Sequence, residues 1–166
     1  MNTNTTEPTS GRQSWVGVLT RGPQVITSSR QQVAVTILIM VGAVLSVISG
    51  VIHLYLWGEP DGYRQIPTIG PLFLAQGISA IIIGLAAAVT RRLAAVLTAA
   101  GLLAATAAGL VITIEHGMFG FRETWSAPFA SMSAYEEIAG ALLLLIASWP
   151  LARSQGRHTR TRSPVR

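Results

Sequence analysis

The residues of this chain whose types could do chemistry are His53, His116, Glu115, Gln76, Glu136, Glu137, Arg64 and Arg122. All of them fall near the ends of long apolar stretches. Two imidazoles with a carboxylate suit a divalent ion, so His53, His116 and Glu115 are the candidate metal ligands. The same two histidines, facing each other, would ligate a haem axially. Gln76, Glu136 and Glu137, with Arg64 and Arg122 as anion contacts, form a candidate pocket for a small molecule, a quinone or a lipid head group. Ionisable residues near membrane depth motivate that reading. The plain alternative is interfacial polarity, with Arg64 paired to Glu59 or Asp61 and Arg122 to Glu123 or Glu115 at head-group depth. No residue earns a catalytic role. Adjacent helical residues point about 100° apart, so Glu136 and Glu137 are not a facing carboxylate pair. Nucleophile motifs, a phosphate loop and a dinucleotide fingerprint are missing from the sequence. So is cysteine, which removes disulfides and thiolate chemistry.

The elements that must position these groups are readable from hydropathy. Of 166 residues, 50% are apolar and 11% charged, against roughly 25% charged in a soluble domain. Four apolar stretches stand out, over 33–57, 71–90, 93–114 and 134–151. A bilayer core about 30 Å thick needs roughly 20 apolar residues in a helix, so each stretch reads as a span. Gly70-Pro71 suits the first turn of the second helix. Ser133-Ala134-Tyr135-Glu136 matches a capping box and predicts that the fourth helix starts at Ala134. Arg91-Arg92 alone separates the second and third stretches, which makes them antiparallel neighbours, while the connections over 58–70 and 115–133 are longer. The expected fold is all-α: a polytopic up-down-up-down bundle of four transmembrane helices. The polar lead, 1–32, and the Arg-rich tail, 153–166, are expected to be disordered cytoplasmic segments. The first apolar run begins near Val33 and is too long for a cleaved signal region.

Charge sets the expected orientation. Ten of the twelve arginines fall before the first stretch, between the second and third, or after the fourth; the other two are Arg64 and Arg122. Lys and Arg are enriched in cytoplasmic loops, so the pattern predicts a plasma-membrane protein with both termini in the cytoplasm. Basic flanks also attract anionic lipids. They account for the net charge of +5 without nucleic acid as a partner. Trp57, Tyr63, Trp125, Tyr135 and Trp149 lie near the span ends, as an aromatic belt would.

Small residues recur every four positions as Gly42-Ser46-Gly50, Gln76-Ala80-Gly84 and Gly101-Ala105-Gly109. Such faces predict close helix contacts, within the chain, with a second copy or with other membrane proteins. A faint repeat runs through both halves: a small-residue ridge, then His53 or His116, then Gly62-Tyr63-Arg64 or Gly120-Phe121-Arg122, then Pro67 or Pro128. Two hairpins related by an axis along the membrane normal would produce it.

Two segments carry a resemblance. His53-Leu-Tyr-Leu-Trp57 continues through Gly62-Tyr-Arg-Gln-Ile-Pro-Thr-Ile-Gly-Pro71-Leu-Phe-Leu-Ala-Gln76, and Gly117-Met-Phe-Gly-Phe-Arg-Glu-Thr-Trp-Ser-Ala-Pro128 follows later. Together they resemble a group of small four-helix membrane proteins of actinobacteria. The resemblance implies the architecture and transfers neither an activity nor a cofactor. The sequence therefore points to a non-enzymatic accessory or interaction subunit of a membrane assembly. The alternatives are a haem- or metal-binding redox protein using His53 and His116, and a small transporter or lipid- or quinone-binding module with a polar pocket facing outward.

Overall fold

The computed structural model describes residues 15–153. The disorder expected for 1–14 and 154–166 concerns residues outside that range. The described residues are all-helical, with four long helices: α2 (Ser29–Gly58), α3 (Ile69–Thr90), α4 (Leu93–Glu115) and α5 (Ala130–Arg153), preceded by the short α1 (Trp15–Leu19). All four are long and apolar enough to cross a membrane.

Local chemistry explains where the helices stop. Gly117 adopts φ 76°, the left-handed conformation that ends α4, and its N–H donates to Thr113 O at 3.1 Å. Arg122 completes that terminus: its Nε donates to Ile114 O and its Nη2 to Glu115 O, both at 3.0 Å. A cation on the last carbonyls also opposes the negative end of the helix dipole. Between α3 and α4 the chain reverses through Arg91, in the left-handed region at φ 49°, and Arg92, which is extended.

Two expectations about boundaries need correction. Helix α5 starts at Ala130, not Ala134, so Ser133 is an interior helical residue whose N–H donates to Phe129 O. The capping box is unused because the apolar face of α5 continues upstream, with Ala130 and Ala134 both buried. The second correction concerns the lead. Helix α1 and a 3-10 turn (Pro23–Val25) are ordered secondary structure, Pro23 and Ile26 are buried, and the Leu93 N–H donates to Arg21 O at 2.7 Å. The apolar residues Val18, Val25 and Ile26 give this segment something to bury, beneath the start of α4.

Around the bundle the order is α3, α2, α5, α4, with α3 and α4 touching much less than the other neighbours. Lipid is as apolar as a leucine side chain, so close packing and interhelical hydrogen bonds must hold such a bundle. The α2–α3 pair supplies both. Ser46 Oγ donates to Ala80 O at 2.9 Å. A Cβ added at Gly50 would stand 2.7 Å from Gly77 O, and one at Gly84 would stand 3.0 Å from Ala43 O. Gly42 faces Leu144 of α5, and Gly140 faces Leu103 of α4. The stripe on α4 behaves differently: nothing lies within 4 Å of a Cβ added at Gly101 or Gly109.

The bundle is filled unevenly. Near the chain termini, Val35, Ile39, Val96, Leu103, Leu144 and Leu151 form a closed apolar core. Towards the end that carries the two long connections, called here the loop end, the interior turns polar, with Ser46, Ser49, His53, Ser133 and Glu137 buried.

Candidate ligand cavity

The loop-end half of the bundle is hollow. A cavity of about 470 Å³ is bounded by all four long helices and both long connections, a size within the range of small-molecule sites. Its walls are apolar, with Leu56, Leu72, Phe73, Leu102 and Leu110 among them. It follows from weak α3–α4 packing. Where α4 presents Ala105 and Gly109, no side chain is long enough to reach α3, and both residues line the space instead.

Polar groups reach the cavity from several helices. Gln76 and Glu137 each lie seven residues into their helices, about 10 Å from the loop end at 1.5 Å per residue. His53 is five residues from the end of α2, about 8 Å by the same rise. All three line the cavity. Ser49 Oγ donates to Glu137 Oε1 at 2.7 Å. His53 Nδ1 lies 2.9 Å from Ser49 O; a carbonyl only accepts, so Nδ1 carries the proton and donates. In the neutral ring this leaves Nε2 with its lone pair. Two further atoms are buried with no hydrogen-bond partner, Glu137 Oε2 and Gln76 Nε2. Such orphans are uncommon in folded proteins and each is costly.

The loops roof the cavity. The Tyr63 ring stacks on Phe73 with centroids 4.2 Å apart and planes 9° from parallel, and it meets Phe121 edge-on at 5.8 Å. The Tyr63 hydroxyl donates to Glu123 Oε2, tying the first long connection to the second. Glu123 Oε1 accepts from the Thr124 N–H at 3.0 Å. Phe121 sits in a tight reversal whose centre, Phe119 and Gly120, has φ 54° and 77°, and Met118 and Phe121 exchange backbone hydrogen bonds across it.

Burial, and then the bond to the Glu123 carboxylate, push the Tyr63 phenol above its ordinary value of 10. A raised acid favours the protonated form in the fold, so its stabilisation is complete below pH 10 and is lost as pH rises above that. The thermal midpoint of the wild type is therefore expected to fall more steeply above pH 10 than that of Tyr63→Phe. Parallel pH profiles would remove this role for the latch.

The structure sorts the residues singled out from sequence. Gln76, Glu137 and His53 share the cavity. Glu136 is buried one position away, with neither carboxylate oxygen hydrogen-bonded, and does not line it. Arg64 is exposed in a 3-10 turn (Tyr63–Gln65), outside the lining. Arg122 is also outside, spent on the end of α4 rather than on Glu115 or Glu123 side chains. Both arginines therefore fail as anion contacts of this pocket. Glu115 and His116 are exposed at the end of α4, whereas His53 is 8% exposed inside the bundle. Among the described residues no three His, Cys, Asp or Glu side chains are grouped to hold a metal ion. A fold that buries one imidazole and exposes the other does not present both to one ion or one haem.

Sequence reasoning missed Ser49, Phe73 and Glu123 as site residues. For Tyr63 and Phe121 a signal existed. They are the aromatic members of the two Gly-aromatic-Arg repeats, and they meet over the cavity while both arginines turn away.

The four helices and the hollow between them define a multi-pass α-helical membrane protein with a half-open cavity between its helices. No family model matches this chain, and no curated protein and no solved structure matches it either.

Proposed function

We propose that this protein is a non-enzymatic binding module for an amphipathic molecule dissolved in the membrane. One observation carries the reading. The exposed residues on the cavity's rim are Leu72 and Ala75 of α3, Ala105 of α4 and Pro128 of the second long connection, so the opening runs from the loop end down between α3 and α4. Ala105 lies ten residues inside the end of α4, about 15 Å at 1.5 Å per residue. Between α3 and α4 the rim thus reaches a depth where lipid, not water, surrounds the helices, and His53, Gln76 and Glu137 supply hydrogen-bonding groups to the same space. A molecule with a short polar head and an apolar body suits that arrangement. Arginine placement supports a plasma-membrane location with cytoplasmic termini and an outward-facing loop end. The resemblance of residues 53–76 and 117–128 to small actinobacterial membrane proteins is what supports placing the chain with that group.

The test is photolabelling in nanodiscs with a diazirine-bearing alkyl probe, followed by peptide mapping. Labels are expected at Ser79, Thr106 or Gly109 as well as on the lipid-facing surface. Labelling confined to outward residues such as Ile82 and Leu85 would sink the reading.

A further inference from the structure

We propose that the cavity selects an uncharged head that bears a hydroxyl group, such as that of a long-chain alcohol, a prenol or a quinol. Gln76 and Glu137 would hold this head. The inference rests on the membrane-amphiphile reading and names the class of ligand for that site.

Two unfilled positions define the head. Gln76 Nε2 is a donor with nothing to donate to, and Glu137 Oε2 has no partner. Both side chains line the same space, and Glu137 is fully buried. With its ring neutral, His53 adds an acceptor at Nε2. A hydroxyl both donates and accepts, so it can take a hydrogen bond from Gln76 and give one to Glu137 or His53. It also suits Glu137 in either protonation state, accepting from the acid or donating to the carboxylate.

Charged heads fit poorly. Among the described residues no Arg side chain lines the cavity, while Glu123 and Glu137 both do. A carboxylate or phosphate head would leave water to meet two acids and no fixed cation. An ammonium head brings three donors. Glu123 is already occupied by Tyr63 and Thr124, and the Phe73 ring is engaged by Tyr63 and His53. An ammonium can donate to Glu137 Oε2 and His53 Nε2, but it accepts nothing, so the buried Gln76 Nε2 donor would stay unpaired, which is unfavourable.

The experiment uses the full chain in phosphatidylcholine nanodiscs with tritiated hexadecanol, competed by unlabelled hexadecanol, hexadecanoate and hexadecylammonium. Saturable hexadecanol binding is expected, with both charged chains competing at least about tenfold less well, a gap of 1.4 kcal/mol or more. Gln76→Leu is expected to weaken hexadecanol about fivefold, the scale of one hydrogen bond. Gln76→Glu replaces the donor by a second acid and is expected to turn the preference towards hexadecylammonium. Arg64→Ala, outside the cavity, should leave the order unchanged. A charged chain competing as well as hexadecanol, or an unaltered ranking in both Gln76 variants, would overturn the hydroxyl assignment alone. Saturable binding by none of the three chains would overturn the amphiphile reading with it.

Discussion

Replacing Gly50 with valine is expected to break the α2–α3 hairpin apart, with a loss of stability of about 3 kcal/mol, the upper end for overpacking. The first added carbon would stand 2.7 Å from Gly77 O and 3.1 Å from Ile81 N. Both are backbone atoms of α3, so no rotamer change relieves the clash and the helices must separate. Separation strains the Ser46 Oγ to Ala80 O hydrogen bond one turn away. In lipid no hydrophobic force drives the pair back together, because an exposed apolar face is already solvated by hydrocarbon. Gly101→Ala is the matched contrast. It lies on an identical four-residue stripe, but a Cβ there meets nothing within 4 Å. Alanine exceeds glycine in helix propensity by about 1 kcal/mol, so that variant should be neutral or more stable. Unfolding in mixed micelles titrated with a denaturing detergent measures both. Equal losses at the two positions would mean that close packing on α2 is not what holds this bundle.

The contrast shows what the sequence could and could not reveal. Helix count, order and antiparallel pairing follow from hydropathy length and from a two-residue turn, and both signals are local. Which small-residue stripe makes a contact is not local. Gly42-Ser46-Gly50 and Gly101-Ala105-Gly109 have the same spacing, yet the first is buried, while in the second Gly101 is exposed and Ala105 and Gly109 border a hollow. Spacing gives the helix face, and only the partner helices decide whether that face is covered. On α3 the packed glycine is Gly77, beside Gly50, whereas Gln76 turns into the cavity. The charged residues show the same limit. Arg64 and Arg122 look like ligand contacts because they flank spans, but Arg122 is consumed by helix carbonyls that any α-helix leaves unpaired. Glu137 and Glu136 differ by one position, and that rotation puts only Glu137 in the cavity lining. The Tyr63–Glu123 latch joins residues sixty positions apart, a pairing that no spacing rule reaches.

Cross-linking α3 to α4 is expected to abolish ligand entry, and the absence of cysteine from the sequence makes the experiment clean. The cavity has two conceivable doors. The loop-end door is covered in part by Tyr63, Phe121, Met118 and Glu123, with aromatic contacts and a hydrogen bond between the two connections, beside exposed Leu72 and Pro128. The side door lies between α3 and α4, where small side chains leave the helices poorly packed and where Ala75 and Ala105 are exposed. Paired cysteines at Ala75 and Ala105, joined by a short thiol-specific linker, should strongly slow binding of a membrane-borne probe, because linked helices cannot part to admit it. Cleaving the linker should restore the original rate. A second linked pair placed across the two connections, with Tyr63, Phe121 and Glu123 kept, should leave the rate nearly unchanged, since it fastens a door those side chains already cover. The reverse pattern would place entry at the loop end. The apolar walls would then be reached from water, and the cavity would serve a solute rather than a component of the bilayer.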